Sequence, residues 1–180
     1  MIITGVSLRG RCPMGRTLLE AETIEKLTEA GWQPGRNIGD QVDRWVEEIR
    51  VIHQRRNLQA GPGFSDDLGY AEPPVTVLDM LREFGGLDVN VTGPGRTMRK
   101  HPFQLDPTIG LLSPRAYAQL SGMARSVAFP IGILYGDGAA LAGDERGRVL
   151  LIGSTGEMLV GTDIHEALNN LVQGVMPDYL

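Results

Sequence analysis

The sequence predicts an α+β fold: a mainly antiparallel sheet of about five to six strands, with helices packed around it, in a single domain. Three observations lead to that class. Apolar residues recur at helical spacing in separate stretches before, within and after a block of alternating segments. The alternating segments follow one another across short turns containing Gly, Pro or Asp, a connection open to antiparallel strands and closed to parallel ones. The 24 glycines and 11 prolines among 180 residues imply many turns and short elements.

Residues 1–16 are rich in Gly and Arg without a period and read as a loose N-terminal arm, with the domain expected over 17–176. Thr17 and Glu20 have capping-box spacing, and Leu18, Leu19, Ile24 and Leu27 supply the apolar side of a helix ending near Ala30. The next six residues, Gly31-Trp32-Gln33-Pro34-Gly35-Arg36, are a packing and turning device. Gly31 can stop a helix at positive φ, Trp32 adds apolar surface, and Pro34-Gly35 suits a turn with fixed φ followed by positive φ. Arg36 is expected at the edge of the Trp surface. Val42, Trp45, Val46, Ile49 and Ile52 define a second helix, whose other side carries Asp43, Glu47, Glu48, Arg50 and Arg55.

Residues 58–74 form the longest gap between periodic segments, and a loop of that length in a compact domain is often functional or mobile. Thr76 with Asp79 starts a short helix that Gly85-Gly86 ends. Residues 87–91 alternate as a strand, and Gly93-Pro94-Gly95 turns the chain into a more polar strand over 96–105, forming a hairpin. Asp106-Pro107 closes it. Ser113-Pro114 opens a helix with cap and first-turn proline, and Tyr117 and Leu120 face inward. A strand over 127–135 is interrupted by Pro130 and Gly132, so an edge position or a bulge is expected. Strands over 139–142 and 149–152 flank the turn Asp144-Glu145-Arg146-Gly147, and a short strand follows at 158–160. Thr162 or Asp163 caps a last helix that Gly174 stops and Pro177 keeps from continuing. Helices gathered at either end of the strand block imply packing against one sheet face.

The formal charge of −5 argues against non-specific nucleic-acid binding and fits a basic protein partner. No apolar run is long enough to span a bilayer, and Arg9, Arg11 and Arg16 lack the apolar stretch of a secretory signal. The lone Cys12 excludes an intrachain disulfide and suits a reducing setting.

Catalytic chemistry finds little support. His53, His101 and His165 are scattered, without metal-ligand spacing, so neither a metal nor a cofactor is expected. Ser154-Thr155 lies in a glycine-flanked turn but not in a nucleophile elbow. The Gly61-Pro62-Gly63, Gly93-Pro94-Gly95 and Gly136-Asp137-Gly138 loops lack a strand-to-helix context, and proline removes amide donors that a phosphate would need. Arg96, Arg99, Lys100 and His101 form a basic stripe that reads better as a solvated strand face than as a phosphate contact. Asp66, Asp67 and Glu72 form an acidic cluster on the long loop, either a soluble loop or a negative patch that steers a basic partner, with Asp88 and Asp137 as lesser candidates.

Short motifs occur in one order along the chain: Ala30-Gly31-Trp32, Pro34-Gly35-Arg36, Glu83-Phe84-Gly85-Gly86-Leu87, Asp106-Pro107, Phe129-Pro130-Ile131-Gly132, Gly147-Arg148-Val149, Gly161, and Ala167 to Gly174. This series resembles the third subfamily of the SUKH superfamily, bacterial immunity proteins of polymorphic toxin systems, over roughly residues 17–174. The resemblance implies a cytoplasmic α+β domain without catalytic residues, which binds a cognate toxin domain, often a nuclease or other nucleic-acid-modifying enzyme. It implies no direct nucleic-acid or membrane contact. The matched residues Trp32, Pro34, Gly35, Arg36, Phe84, Gly85, Gly86, Pro130, Gly132, Gly161 and Gly174 look architectural. The segment between Trp45 and Phe84 departs from the pattern, which directs attention to its acidic loop. The alternatives are a structural or regulatory interaction module with another partner, or a small hydrolase with a pocket under the long loop.

Overall fold

The computed structural model describes residues 18–60, 71–109, 111, 113–136, 138–154 and 156–180. The expected arm over 1–16, the capping Thr17, and Asp66, Asp67 and Asp137 lie outside the described residues. The helices are α1 (Ala21–Glu29), α2 (Gly39–Ala60), α3 (Val75–Phe84), α4 (Pro114–Ala124) and α5 (Ile164–Gln173). The strands are β1 (Asp88–Val89), β2 (Gly93–Pro94), β3 (Arg99–Lys100), β4 (Phe103–Gln104), β5 (Ala128–Leu134), β6 (Ala139–Asp144), β7 (Val149–Gly153), β8 (Gly156–Gly161) and β9 (Asp178–Tyr179).

Seven strands form one antiparallel sheet in the order β1-β4-β5-β6-β7-β8-β9, and β2-β3 form a separate ribbon. The sheet exceeds the expected five to six strands because the chain after Pro177 returns to pair with β8, Met158 opposite Tyr179. The segment 96–105 divides into β3, which joins the ribbon, and β4, which joins the sheet. The 87–105 hairpin exists, but its tip is not at Gly93-Pro94-Gly95. Those first two residues pair with Arg99 and Lys100, which moves the reversal to 95–98.

The helices do not all lie on one face, as the sequence order suggested. Leu141, Leu151 and Met158 are cross-strand neighbours on the face that joins the large core beneath α1, α2, α3 and α5. Ala142, Leu150 and Leu159 occupy the opposite face, where α4 covers them with Tyr117, Leu120 and Ala124. Strand alternation sends every second residue of β6 and β7 to that side, and Leu150 needs a cover of its own.

Several local expectations hold for their stated reasons. The Ser113 side chain accepts the Ala116 amide at the start of α4, and Gly174 caps α5 at φ +64. The α5 N-cap is Asp163, which accepts the Glu166 amide. Others fail. Glu20 makes no capping bond to α1; its carboxylate accepts from Arg96 and Gln173 instead. Thr76 does not cap α3, whose N-cap is Pro74, and its hydroxyl donates to the Asp144 carbonyl. The long loop begins later than expected, because α2 continues to Ala60.

Pro130 produces the expected bulge, between Pro130 and Gly132, but β5 is not an edge strand throughout. β4 pairs only with Ile133 and Leu134, so at Pro130 the ladder has β6 as its single neighbour and no amide is missed. Gly132 admits the β4 backbone, since a Cβ there would collide with the Gln104 carbonyl oxygen.

The ribbon tip clasps the end of α5. The amides of Arg96, Thr97 and Met98 donate to the Gln173 and Gly174 carbonyls, which the helix cannot satisfy itself. Side chains at Gly95 and Gly174 have no room: a Cβ on Gly174 would stand 2.7 Å from the Met98 carbonyl oxygen and 2.9 Å from the Gly95 Cα. Gly174→Ala is therefore expected to lower stability by about 2–3 kcal/mol, from strain at positive φ added to the backbone clash. Gly122→Ala, on an exposed turn of α4 with open space around it, is expected to stabilise by roughly 0.5–1 kcal/mol. Urea melts of the two variants check both signs.

Candidate functional site

The segment after α1 folds as its residues dictate. Gly31 at φ +97 donates to Thr28, and Trp32 donates to Leu27, the paired bonds of a Schellman stop. The Arg36 amide closes a turn onto the Gln33 carbonyl with Gly35 at φ +77, so Pro34-Gly35 occupy the turn positions their chemistry suits.

What the turn delivers is a clamp on the end of α3. The Arg36 guanidinium donates to the Glu83 carbonyl at 2.9 Å, and the Ile38 amide donates to Arg82. A cation beside the last carbonyls of a helix opposes its negative dipole end. Burial lowers the Arg36 pKa below its ordinary value. Trp32 stacks on Phe84 with centroids 6.1 Å apart, and Phe84 meets the His165 ring edge-on at 5.7 Å. Gly85 leaves room for Trp45, whose ring would sit 2.9 Å from a Cβ there. Gly161 does the same for α5, where a side chain would strike the Ala167 backbone. Motifs spread over more than a hundred positions thus meet around Phe84.

Beside this aromatic run lies a cleft of about 400 Å³. α3 contributes Thr76, Asp79, Met80, Glu83 and Phe84 to it. The β6–β7 turn contributes Arg146 and Gly147, and the start of α5 contributes Thr162, Asp163, Ile164 and His165. Phe84 and Met80 are buried and form its apolar floor. Three carboxylates face one guanidinium, and that guanidinium already donates to the Arg125 carbonyl. Asp79 is paired with Arg82 at 3.0 Å on the surface, and Asp163 is held as the α5 cap. The Glu83 carboxylate has no hydrogen bond or ion pair among the described residues, although its residue is half-buried.

The β6–β7 turn that edges the cleft is held by a buried ion pair. Asp144 is fully buried; one oxygen accepts the Arg146 and Arg148 amides, and the other accepts Nε and an Nη of Arg148 at 2.8 and 2.7 Å. Arg148 also donates to the Ala124 carbonyl, tying the turn to the end of α4, while the Asp144 carbonyl accepts from Thr76 on α3. One turn therefore joins helices on both sheet faces.

Of the partner-binding candidates, Glu72 and Asp88 are described. Glu72 is exposed and pairs with Arg50 of α2 at 3.2 Å. Hydrogen bonds that Arg50 donates to the carboxylates of Glu47 and then Glu72 raise its pKa. Asp88 is exposed on edge strand β1, opposite Gln104. Glu72 lies in the segment before α3 and Asp88 on β1, and among the described residues they share no partner. The basic stripe is largely committed inside the molecule: Arg96 pairs with Glu20 and Lys100 with Glu22 on α1. Sequence reasoning passed over Asp79, Glu83, Arg146 and the Asp144–Arg148 pair. Glu83 stands in one of the quoted motifs, but nothing local aims it at His165 and Asp163. Among the described residues no three His, Cys, Asp or Glu side chains are placed to hold a metal ion, and no helix is long and apolar enough to cross a membrane.

The family model described as SUKH-3 immunity protein matches residues 19–174 of the chain. No curated protein matches the sequence, and no solved structure matches the fold.

Proposed function

The chain belongs to the SUKH-3 immunity protein family, and on that premise we propose that it is a non-enzymatic inhibitor that binds and neutralises a cognate bacterial toxin domain in the cytoplasm. The observation that carries this reading is the length of the match, residues 19–174, which takes in every helix and both walls of the cleft. The toxin is proposed to be a nuclease or another enzyme acting on nucleic acid. Such an enzyme needs a basic surface for its own substrate, and the immunity protein carries a charge of −5. Opposite charge accelerates encounter and suppresses wrong partners, while a few buried anchors supply affinity.

Asp66, Asp67 and Glu72 are proposed as steering charges at the rim, with Asp88 and Asp137 as lesser contributors. The immediate test is to search the genes flanking this one for a toxin-like C-terminal domain and to coexpress any such domain with the chain, followed by affinity capture. Restored growth together with a stable one-to-one complex is the expected result. A captured complex without protection would support a non-toxin interaction module instead. Charge reversal at Asp66 and Asp67 is expected to slow association about tenfold at low salt and to flatten its salt dependence. Rates unchanged at low ionic strength would remove that loop from the interface.

A further inference from the structure

We propose that the cleft between α3 and the start of α5 receives a basic side chain, an arginine or lysine, presented by the toxin; the partner's identity as a toxin rests on the immunity reading above. The carrying observation is Glu83. It lies in the last turn of α3, where the helix dipole disfavours a carboxylate. It follows Asp79 by four residues on the same helix face, a like-charge spacing that also costs stability. Its carboxylate makes no hydrogen bond or ion pair among the described residues, and Arg146, the guanidinium that lines the same cleft, already donates to the Arg125 carbonyl. Arg82, its neighbour in sequence, is paired with Asp79, and Arg36 is spent on the Glu83 carbonyl. A carboxylate kept against two local penalties, half-buried and without an internal partner, calls for an external cation.

The shape of the cleft selects which cation. Its floor is apolar, from Met80 and Phe84, with the His165 ring standing edge-on to Phe84. Its rim is acidic, from Asp79 and Glu83. An aliphatic stem ending in a charge matches both parts, because lysine and arginine bury the stem and keep the head at polar groups. Asp79 can turn from Arg82 to the incoming head, since an exposed pair of that kind is worth little. A volume of about 400 Å³ exceeds one side chain and leaves space for the flanking backbone. An anion would face three carboxylates there against the single guanidinium of Arg146, and the Glu166 amide in the first turn of α5 is already taken by Asp163.

The test uses the full chain and two readouts. N-acetylargininamide, N-acetyllysinamide and, as a control, N-acetylglutamate are titrated while the ring signals of Phe84 and His165 are followed by NMR. Saturable shifts are expected with the basic probes alone, with dissociation constants on the order of 1–10 mM, and Glu83→Gln should weaken them about tenfold. In parallel, the captured toxin complex is measured with Glu83→Lys, Glu83→Gln and Glu72→Lys. Glu83→Lys should weaken binding about a hundredfold with the melting temperature retained, and Glu83→Gln about tenfold. Glu72→Lys should chiefly slow association.

If toxin binds wild type and Glu83→Lys equally, and the basic probes move no ring signal, the cleft proposal is overturned while the immunity reading stands. If no toxin is captured but the basic probes bind the cleft, the site survives and the immunity reading fails. Shifts with N-acetylglutamate alone would reverse the charge assignment and overturn the proposal.

Discussion

Asp144→Ala is expected to lower the unfolding free energy by about 3–5 kcal/mol, a large share of what a domain of this size possesses. The substitution removes the only carboxylate among the described residues that Arg148 touches and strands two backbone amides, those of Arg146 and Arg148. It also releases the turn from the end of α4, which Arg148 holds through the Ala124 carbonyl. Because the group is fully buried, water cannot replace these partners cheaply. Asp144→Asn keeps an acceptor for the two amides but loses the charge, so it should fall between wild type and Asp144→Ala. The double change Asp144→Leu with Arg148→Met should cost less than Asp144→Ala, since an apolar pair leaves no uncompensated charge. Urea titrations reporting the midpoint at constant slope make the comparison. A cost below about 1 kcal/mol for Asp144→Ala would show that the pair does not organise the turn.

Trp32→Ala should be almost as damaging, by about 3–5 kcal/mol, through the cavity left against Phe84 and Leu27. Trp32→Phe should cost only about 1–2 kcal/mol. It keeps a ring on Phe84, and it removes an indole N–H that is buried without an acceptor among the described residues. The two variants thus separate apolar filling from polar satisfaction. The ring signals of His165 report the same event at a distance, since Phe84 lies between the two. Trp32→Ala should shift them, and Trp32→Phe should leave them nearly in place. Equal losses from Ala and Phe would mean that the indole itself, not the stacked ring, holds the end of α3.

Much of the fold was legible because its signals are local. The Gly31 stop, the Pro34-Gly35 turn, the Ser113 cap and the Gly174 stop each follow from φ preferences or from a side chain meeting an amide within three residues. The misreadings share a different cause. Glu20 and Thr76 have the right chemistry to cap their helices, but partners far away in sequence claimed them: Gln173 and Arg96 in one case, the Asp144 carbonyl in the other. β9 escaped notice because two residues carry no period, and their pairing depends on the free edge of β8.

What the sequence determined by itself is most of the helices and turns, and that the chain makes an antiparallel α+β domain. These follow from interactions within a few residues and from the two periodicities of apolar burial. The tertiary structure alone decided that α4 covers the second sheet face. It alone brought Trp32, Phe84 and His165 into one run and set Glu83 across a cleft from the cap of α5. Such partnerships depend on how whole elements dock, and no preference carried by a single residue encodes which distant surface it will meet.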